Sequence, residues 1–403
     1  MLFRSKMLKQ LEAAYSLAFE DTLQPDSYVD WPPIRIHVKE DAEPYMVTTA
    51  RSYPVGREEE CKKIIEGLEN AGVIRRHEDV TSWCTHGFFV PKHNGGLRLV
   101  VDFRQVNRGT NRVGLPFLSN DAIFKQLPSE AACFLSFDLT SSFFQLRVDP
   151  ADQEVLAFLV PCGKFLMTRA AMGEKNAGDA LNSSSRLLLL GLDRSLKIFD
   201  DFLLFGKSLQ ELWDRASTLL HNAVRTNWKF SPQKGQCGTS IGFCGLELSA
   251  DANLQVTILP SNNTIKELID FDSPRTKRQL QSLLGVLNTL VKWIPGLSNH
   301  TARMRELNRG RAHFKWLAEH QQELDIIKKL AAKLIPVHPF RADRKSFLFT
   351  DASIDGLGLV LMQEDPSNTN LLFIFASSTG LKDSQRRYSS YELEIDRKST
   401  RLN

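Results

Sequence analysis

No run of apolar residues approaches the roughly 18 that a membrane-spanning helix needs; the cluster Leu187–Leu190 is soon broken by Asp193 and Arg194. The opening MLFRSKMLKQLEAAYS interleaves Lys and Glu with its apolar residues, unlike the apolar core of a signal peptide. The expectation is therefore an intracellular, soluble protein. Cysteine is scarce: six occur in 403 residues, at 61, 84, 133, 162, 237 and 244, with no Cys-x-x-Cys pair and no histidines at zinc spacing. That sets aside a disulfide scaffold and a zinc finger, and leaves isolated thiols in a reducing compartment. Internal repeats and low-complexity tracts are also lacking, which argues against solenoids and arrays. Excess charge of one sign is small, 51 basic against 47 acidic residues for a net +4. A polyanionic partner is permitted by that balance and not required by it.

A chain of 403 residues suggests two or three domains at about 150 residues each. A helix and a polar linker fill the first 30 residues, and Trp31-Pro32-Pro33-Ile34-Arg35-Ile36 reads as extended chain. Cys61, Ile64, Ile65 and Leu68 fall at helical spacing within Arg57–Ala71, with Gly72 as a stop. Strands are expected at Gly87–Val90, Leu97–Phe103, Cys133–Phe137 and Lys197–Phe205, and helices around Gly178–Leu192 and Leu209–Thr226. Helical periodicity dominates from about Pro260 to Val337, as in Lys277–Trp293 and Glu319–Leu334; strands return after Lys345 as SFLFTDAS, GLGLVLMQE and LLFIFASS. Boundaries are expected near 55, 255 and 340.

The segment LKIFDDFLLFG, Leu196 to Gly206, places two adjacent carboxylates between apolar half-strands, where a two-residue turn would sit. Asp200-Asp201 can be read as a plain polar hairpin tip. Two like charges between buried strands are costly, however, unless a cation compensates them. Cys133–Phe137 similarly delivers Asp138 to the end of a strand, followed by Leu139-Thr140-Ser141-Ser142-Phe143-Phe144-Gln145. On its own Asp138 could equally be a helix N-cap. If the strands are neighbours, the three carboxylates form a cluster able to hold two Mg²⁺ ions about 3.5–4 Å apart for phosphoryl transfer.

These residues resemble a reverse transcriptase, the Pol protein of gypsy-class LTR retrotransposons and their retroviral relatives, from about Pro32 to Glu394. Asp138 to Gln145 matches the family's palm motif, and Ile198-Phe199-Asp200-Asp201 matches its Tyr-x-Asp-Asp hairpin. The resemblance implies an α+β right-hand polymerase with a helical connection and a partial ribonuclease H-like domain. Asp138, Asp200 and Asp201 would be catalytic and, with the Leu139 carbonyl, would hold two Mg²⁺ ions, Mn²⁺ being an alternative. Val90 to Asn107 is similar to the fingers hairpin and its Asp-Tyr/Phe-Arg-x-x-Asn signature. Lys92 and Arg98 would contact the triphosphate as point charge and fork, and Arg104 and Asn107 would face template or primer.

Phe143 takes the place of the aromatic that excludes a ribose 2′-hydroxyl. Met172-Gly173-Glu174-Lys175-Asn176-Ala177 resembles the Pro-Phe-Gly-Leu-x-Asn-Ala pocket segment, implying Met172 and Lys175 at the nucleotide and Asn176 at the template. Lys234 would be a general acid near the pyrophosphate, and Phe243-Cys244-Gly245-Leu246 resembles the primer grip. Ile198 stands for the usual Tyr, Ser142 for Gly or Ala, and Ala171-Met172 for Pro-Phe.

The implied division is 1–55 entry segment, 56–255 fingers and palm, 256–340 thumb and connection, and 341–395 the start of a ribonuclease H-like domain. Asp351 would be that domain's first metal ligand and Glu394 its second. The family needs two further aspartates, so ribonuclease H activity is expected to be absent. Residues 396–403 (DRKSTRLN) look like a translated sequencing adapter.

The resemblance implies RNA and DNA template-primer, deoxynucleoside triphosphates and other Pol and Gag products as partners, with no membrane. It implies a location in the cytoplasm, within a virus-like particle, or in the nucleus. Lys266, Arg275, Lys277 and Arg278 are candidates for phosphate contact. The sequence carries no Asp-Thr/Ser-Gly protease motif, zinc knuckle or integrase. Two rivals are a decayed or co-opted copy that only binds nucleic acid, and an RNA-templated RNA polymerase, which Phe143 disfavours.

Overall fold

A computed structural model describes residues 2–92, 95–114, 125–309, 314–352, 356–365 and 370–380. The chain folds into two compact units, residues 1–119 with 135–237, and residues 120–134 with 238–403. The second unit thus takes in the segment 238–255, which the expected division places with the palm. Among the described residues no helix is long and apolar enough to cross a membrane.

The first unit holds two sheets. Strands β1 (Ile74–Arg76), β2 (Thr85–Pro91), β3 (Leu97–Val101), β5 (Ala157–Val160) and β6 (Gly163–Met167) form one, in the order β1-β6-β5-β2-β3. Its core gathers Ile74, Phe89, Leu97, Phe158 and Phe165 with Cys61 and Ile65 of the helix Glu58–Asn70. The predicted helical spacing therefore puts one face of that helix on the sheet. The third strand ends at Val101, earlier than expected, because Phe103 caps the short helix Arg104–Gly109.

The other sheet carries the acidic motifs. Strands β4 (Cys133–Asp138), β7 (Ser195–Ile198), β8 (Asp201–Gly206) and β9 (Gln236–Gly238) lie in the order β7-β8-β4-β9. The helix Leu209–Thr226 packs against β8 with Leu212, Ala216, Leu219, Leu220 and Ala223 buried, the i, i+4, i+7 stripe expected of an amphipathic helix. Ser208 starts it by accepting from the Glu211 amide, and Asn227 ends it at φ 59°. Gly178–Leu192 is not one helix: Ala177–Ser184 is α-helical and Ser185–Leu189 tightens to a 3₁₀ turn. The physical reason is the serine run, whose Ser184 and Ser185 hydroxyls bond back to the Ala180 and Leu181 carbonyls.

In the second unit β10 (Ser240–Phe243), β11 (Leu246–Ala250) and β12 (Val256–Pro260) form an antiparallel sheet. Helices follow at Asn262–Ile269, Lys277–Thr289, Ala302–Arg309 and Ala318–Ala331. Leu280, Leu283, Leu284 and Leu287 form the buried stripe of the second. Glu323 reaches back to accept the Arg303 and Met304 amides at 3.1 Å each, satisfying the start of the third. Strands β13 (Ser346–Ala352), β14 (Gly356–Glu364) and β15 (Leu371–Gly380) make an antiparallel meander.

The hairpin between β10 and β11 pairs Phe243 with Leu246, so its turn is Cys244-Gly245 at φ 46° and 77°. A two-residue turn that matches strand twist needs both residues left-handed. No atom lies within 4 Å of a Cβ built on Gly245, so a side chain there meets only backbone strain. Gly245→Ala should lower stability by roughly 1 kcal/mol, read from a urea midpoint with unchanged slope.

Candidate active site

The acidic hairpin folds one residue earlier than its sequence suggests. Ile198 pairs with Asp201, so Phe199-Asp200 forms the turn and Asp201 opens β8. Asp200-Asp201 as a turn pair is thereby corrected. The exposed Phe199 takes φ 53°, a conformation that costs a non-glycine residue energy. The bend brings the Asp200 carbonyl to 3.2 Å from the Leu139 amide, directly beside the end of β4. Asp138, which ends β4, thus lies beside Asp200 in the turn between β7 and β8.

Several polar side chains hold the end of β4 in place. Asp138 gives its carbonyl to the Ser231 amide at 2.8 Å. Gln145, fully buried, donates to the Thr140 and Lys229 carbonyls at 2.8 and 2.9 Å and accepts the Lys229 amide at 2.7 Å. Sequence reasoning passes over Gln145 because nothing distinguishes a bracing amide from a surface one before the fold is known. Ser142, which stands where Gly or Ala is usual, donates to Asp200 Oδ2 at 3.4 Å.

The three carboxylates do not converge into one cage. Among the described residues no three of His, Cys, Asp and Glu lie close enough to hold a metal ion. Asp138 meanwhile faces Lys234, whose Nζ donates to Oδ1 at 2.9 Å. Burial lifts the Asp138 carboxyl above its ordinary range and the nearby Asp200 charge adds to that, while Lys234 opposes both. Beside them Lys197 donates to Asn182 at 2.8 Å. Burial pushes its ammonium down to about 8, Arg186 adding to the effect and Asp200 opposing it.

The residues expected at the nucleotide fall into two groups. Lys92 and Arg98 are exposed on the β2–β3 hairpin, and Phe143 is half-buried in the 3₁₀ turn after Asp138. Met172 is exposed. Lys175, by contrast, spends its ammonium on the Thr110 carbonyl.

Two expected template contacts also turn inward. Asn107 donates to the Gly173 carbonyl at 2.8 Å and accepts the Lys175 amide at 2.9 Å, clamping the 173–175 loop. Both ends of the buried Asn176 amide are engaged, by Val113 and by Asn111 at 3.0 Å each. These hydrogen bonds tie the 173–176 loop to the segment 107–113. Arg104 grips Asp102 with two of its guanidinium nitrogens, Nε at 2.8 Å and Nη2 at 2.6 Å.

That grip holds the Asp102 carboxyl down at about 2. A depressed carboxylate stabilises the fold above its unfolded pKa near 4, and the contribution is lost as pH falls toward 2. Arg104 is 81% exposed, so solvent screening limits the effect to about 1 kcal/mol or less. Asp102→Asn should flatten the acid limb of stability between those values, measured as urea midpoints for the two proteins.

In the second unit Phe243 is buried, Cys244 is exposed, and Leu246 is half-buried beside the tight turn. Asp351 is exposed near the end of β13. Glu394 lies outside the described residues.

An α+β fold with paired carboxylates at the end of one sheet defines a protein of the reverse-transcriptase type. Residues 316–395 match the RNase H-like domain found in reverse transcriptase. The match begins ahead of residue 341 and gives such a domain within the chain, without showing it to be cut short. The chain is 24% identical over 408 aligned residues to the enzymatic polyprotein of cauliflower mosaic virus (strain CM-1841), covering 97% of this chain and 58% of that polyprotein. It is 26% identical over 305 residues to the transposon Tf2-3 polyprotein of Schizosaccharomyces pombe, covering 75% of this chain and 22% of that one. Both matches span less than two thirds of the relative's own length.

Among solved structures, foamy viral protease-reverse transcriptase in complex with an RNA/DNA hybrid superposes with a TM-score of 0.82 at 17% identity, over 98% of this chain and 52% of that one. The dRH form of the same enzyme with double-stranded DNA gives 0.84 at 17% identity, over 98% and 68%. The chain is homologous to retroviral and retrotransposon Pol polyproteins, and its fold is that of their reverse transcriptases.

Proposed function

We propose that this chain is an RNA-directed DNA polymerase, in which a primer 3′-hydroxyl attacks a deoxynucleoside triphosphate and pyrophosphate leaves. The observation that carries the proposal is the 3.2 Å contact between the Leu139 amide and the Asp200 carbonyl, which sets Asp138 and Asp200 side by side. Their oxygen donors suit Mg²⁺, and the Lys234 ammonium at 2.9 Å from Asp138 marks a place where a cation is favoured. Asp138 and Asp200, with the Leu139 carbonyl, are the groups that would hold the ions. Bound there, two divalent ions, Mg²⁺ or Mn²⁺, supply Lewis-acid activation of the hydroxyl and charge neutralisation at the phosphorus.

The chain's own residues complete the site. Lys92 and Arg98 offer exposed cations to a triphosphate, and Phe143 flanks the sugar position. Lys234 can pass from Asp138 to the leaving pyrophosphate. The Phe243–Leu246 turn supports the primer end. Template-primer, deoxynucleoside triphosphates and other Pol and Gag products of the same element are the partners of this reading. The foamy viral enzyme, solved with an RNA/DNA hybrid and with duplex DNA, supports the nucleic-acid part.

A binding-only protein is the second reading, favoured by the Lys234–Asp138 ion pair and the separated carboxylates. The test is extension of a labelled DNA primer on an RNA template with magnesium by the full chain. Extension lost in Asp200→Asn supports polymerisation; bound template-primer with no extension by either protein supports binding alone.

A further inference from the structure

Two loops of the second unit, residues 272–275 and 314–316, face each other across a groove of about 500 Å³. Phe314 and Trp316 line it together with Lys315, Arg275 and Asp272. A second hollow of about 330 Å³ continues from it past Asp272 and Arg275 to Gln279. Apart from Arg275, already a candidate for phosphate contact, none of these residues has a part in the site already described.

The groove is built rather than incidental. Trp316 donates its indole N–H to Gln321 Oε1 at 3.0 Å, and Ser273 donates to the same oxygen at 2.6 Å. One buttress thus fixes the indole and ties the two loops together. The His320 ring packs against Trp316 at 5.4 Å, fixing it further. Arg275 anchors its own backbone by donating its amide to Gln279 Oε1 at 2.7 Å. Its guanidinium and the Lys315 ammonium enter no ion pair among the described residues, whereas Arg57, Arg104 and Arg215 of the first unit are all paired.

A rigid aromatic surface flanked by two uncommitted cations matches one ligand chemistry closely. Bases stack on aromatic rings at little ordering cost when the ring is already held, and adjacent Lys and Arg take the phosphates. Asp272, at the edge of the same groove, can accept from an exocyclic amino group, which favours cytosine, adenine or guanine over thymine and uracil.

We propose that this groove is a stacking site for an unpaired nucleotide of single-stranded nucleic acid, separate from the acidic hairpin. The proposal rests on the nucleic-acid part of the function proposed above and not on catalysis. It takes DNA and RNA alike, since none of its groups selects the sugar.

The test is fluorescence anisotropy of labelled ten-nucleotide oligo(dC) and oligo(C) with the full chain, beside an abasic deoxyribose-phosphate strand of equal charge. Base-bearing strands should bind roughly 5- to 150-fold more tightly than the abasic strand, about the range of one stacked base. Trp316→Leu should remove most of that preference, and Trp316→Phe should keep it within about threefold, because a ring remains. Lys315→Gln and Arg275→Gln should each weaken all three strands and reduce the salt slope by about one. Blunt duplex affinity should stay within about twofold for Trp316→Leu.

Equal binding of base-bearing and abasic strands would overturn the proposal, with no variant required. So would an equal loss of duplex and single-strand affinity in Trp316→Leu. The preference for base-bearing over abasic strands is read without any catalytic step, so failure of the groove and failure of the polymerase are read separately.

Discussion

Asp200→Asn is expected to lower primer extension by on the order of 10³-fold. Several kcal/mol of transition-state charge stabilisation go with a metal-binding carboxylate, at about 1.4 kcal/mol per tenfold in rate. The substitution isolates charge from shape. Asn retains an oxygen for the Ser142 hydroxyl that now meets Asp200 Oδ2, and the turn's contact to Leu139 uses the Asp200 main-chain carbonyl. The fold should therefore survive, and circular dichroism and urea midpoints should match the parent. Loss of the Asp200 charge also removes one of the influences that raise Asp138, so Asp138 should ionise at lower pH in the variant. Full-length product at parental rates from Asp200→Asn would remove Asp200 from the chemistry.

Much of the site can be read from residue order, and the failures have local causes. Apolar runs bounded by carboxylates mark β4, which ends on Asp138, and β8, which opens on Asp201, because a buried strand stays apolar except where it reaches the surface. The turn slips by one residue since propensity alone would not put Phe199 at φ 53°, and only cross-strand pairing forces it there. Asn107 and Asn176 look like ligand contacts because polar residues in a motif invite that reading. What the sequence does not reveal is that their amides also complete backbone hydrogen bonds in a loop without regular structure. Gln145 brings no signal at all, since burial decides whether an amide is a brace. The groove at Trp316 is equally hidden: its two loops lie about 40 residues apart in sequence, and only the fold sets them face to face.

The acidic site also depends on a cluster of rings beneath it, where Phe230→Ala should have the largest effect on stability. Phe230 is fully buried, with Phe137 and Phe202 at 5.4 Å and Phe19 at 6.4 Å between ring centroids. Phe137 immediately precedes Asp138 and Phe202 immediately follows Asp201, so one ring packs against both strands that deliver the carboxylates. Next in sequence, Ser231 donates its amide to the Asp138 carbonyl at 2.8 Å.

Truncation of a buried Phe in such packing costs about 3–5 kcal/mol, a large part of the roughly 5–15 kcal/mol that holds a domain folded. Phe230→Leu fills most of the volume and should cost markedly less, within about 1.5 kcal/mol. Urea unfolding should give this order, with primer extension falling in Phe230→Ala below the temperature at which the bulk of the chain unfolds. The reason is that the cavity loosens β4 against β8, and Asp138 and Asp200 then no longer hold their spacing. A Phe230→Ala protein within about 1 kcal/mol of the parent would show that these rings do not carry the sheet under the site.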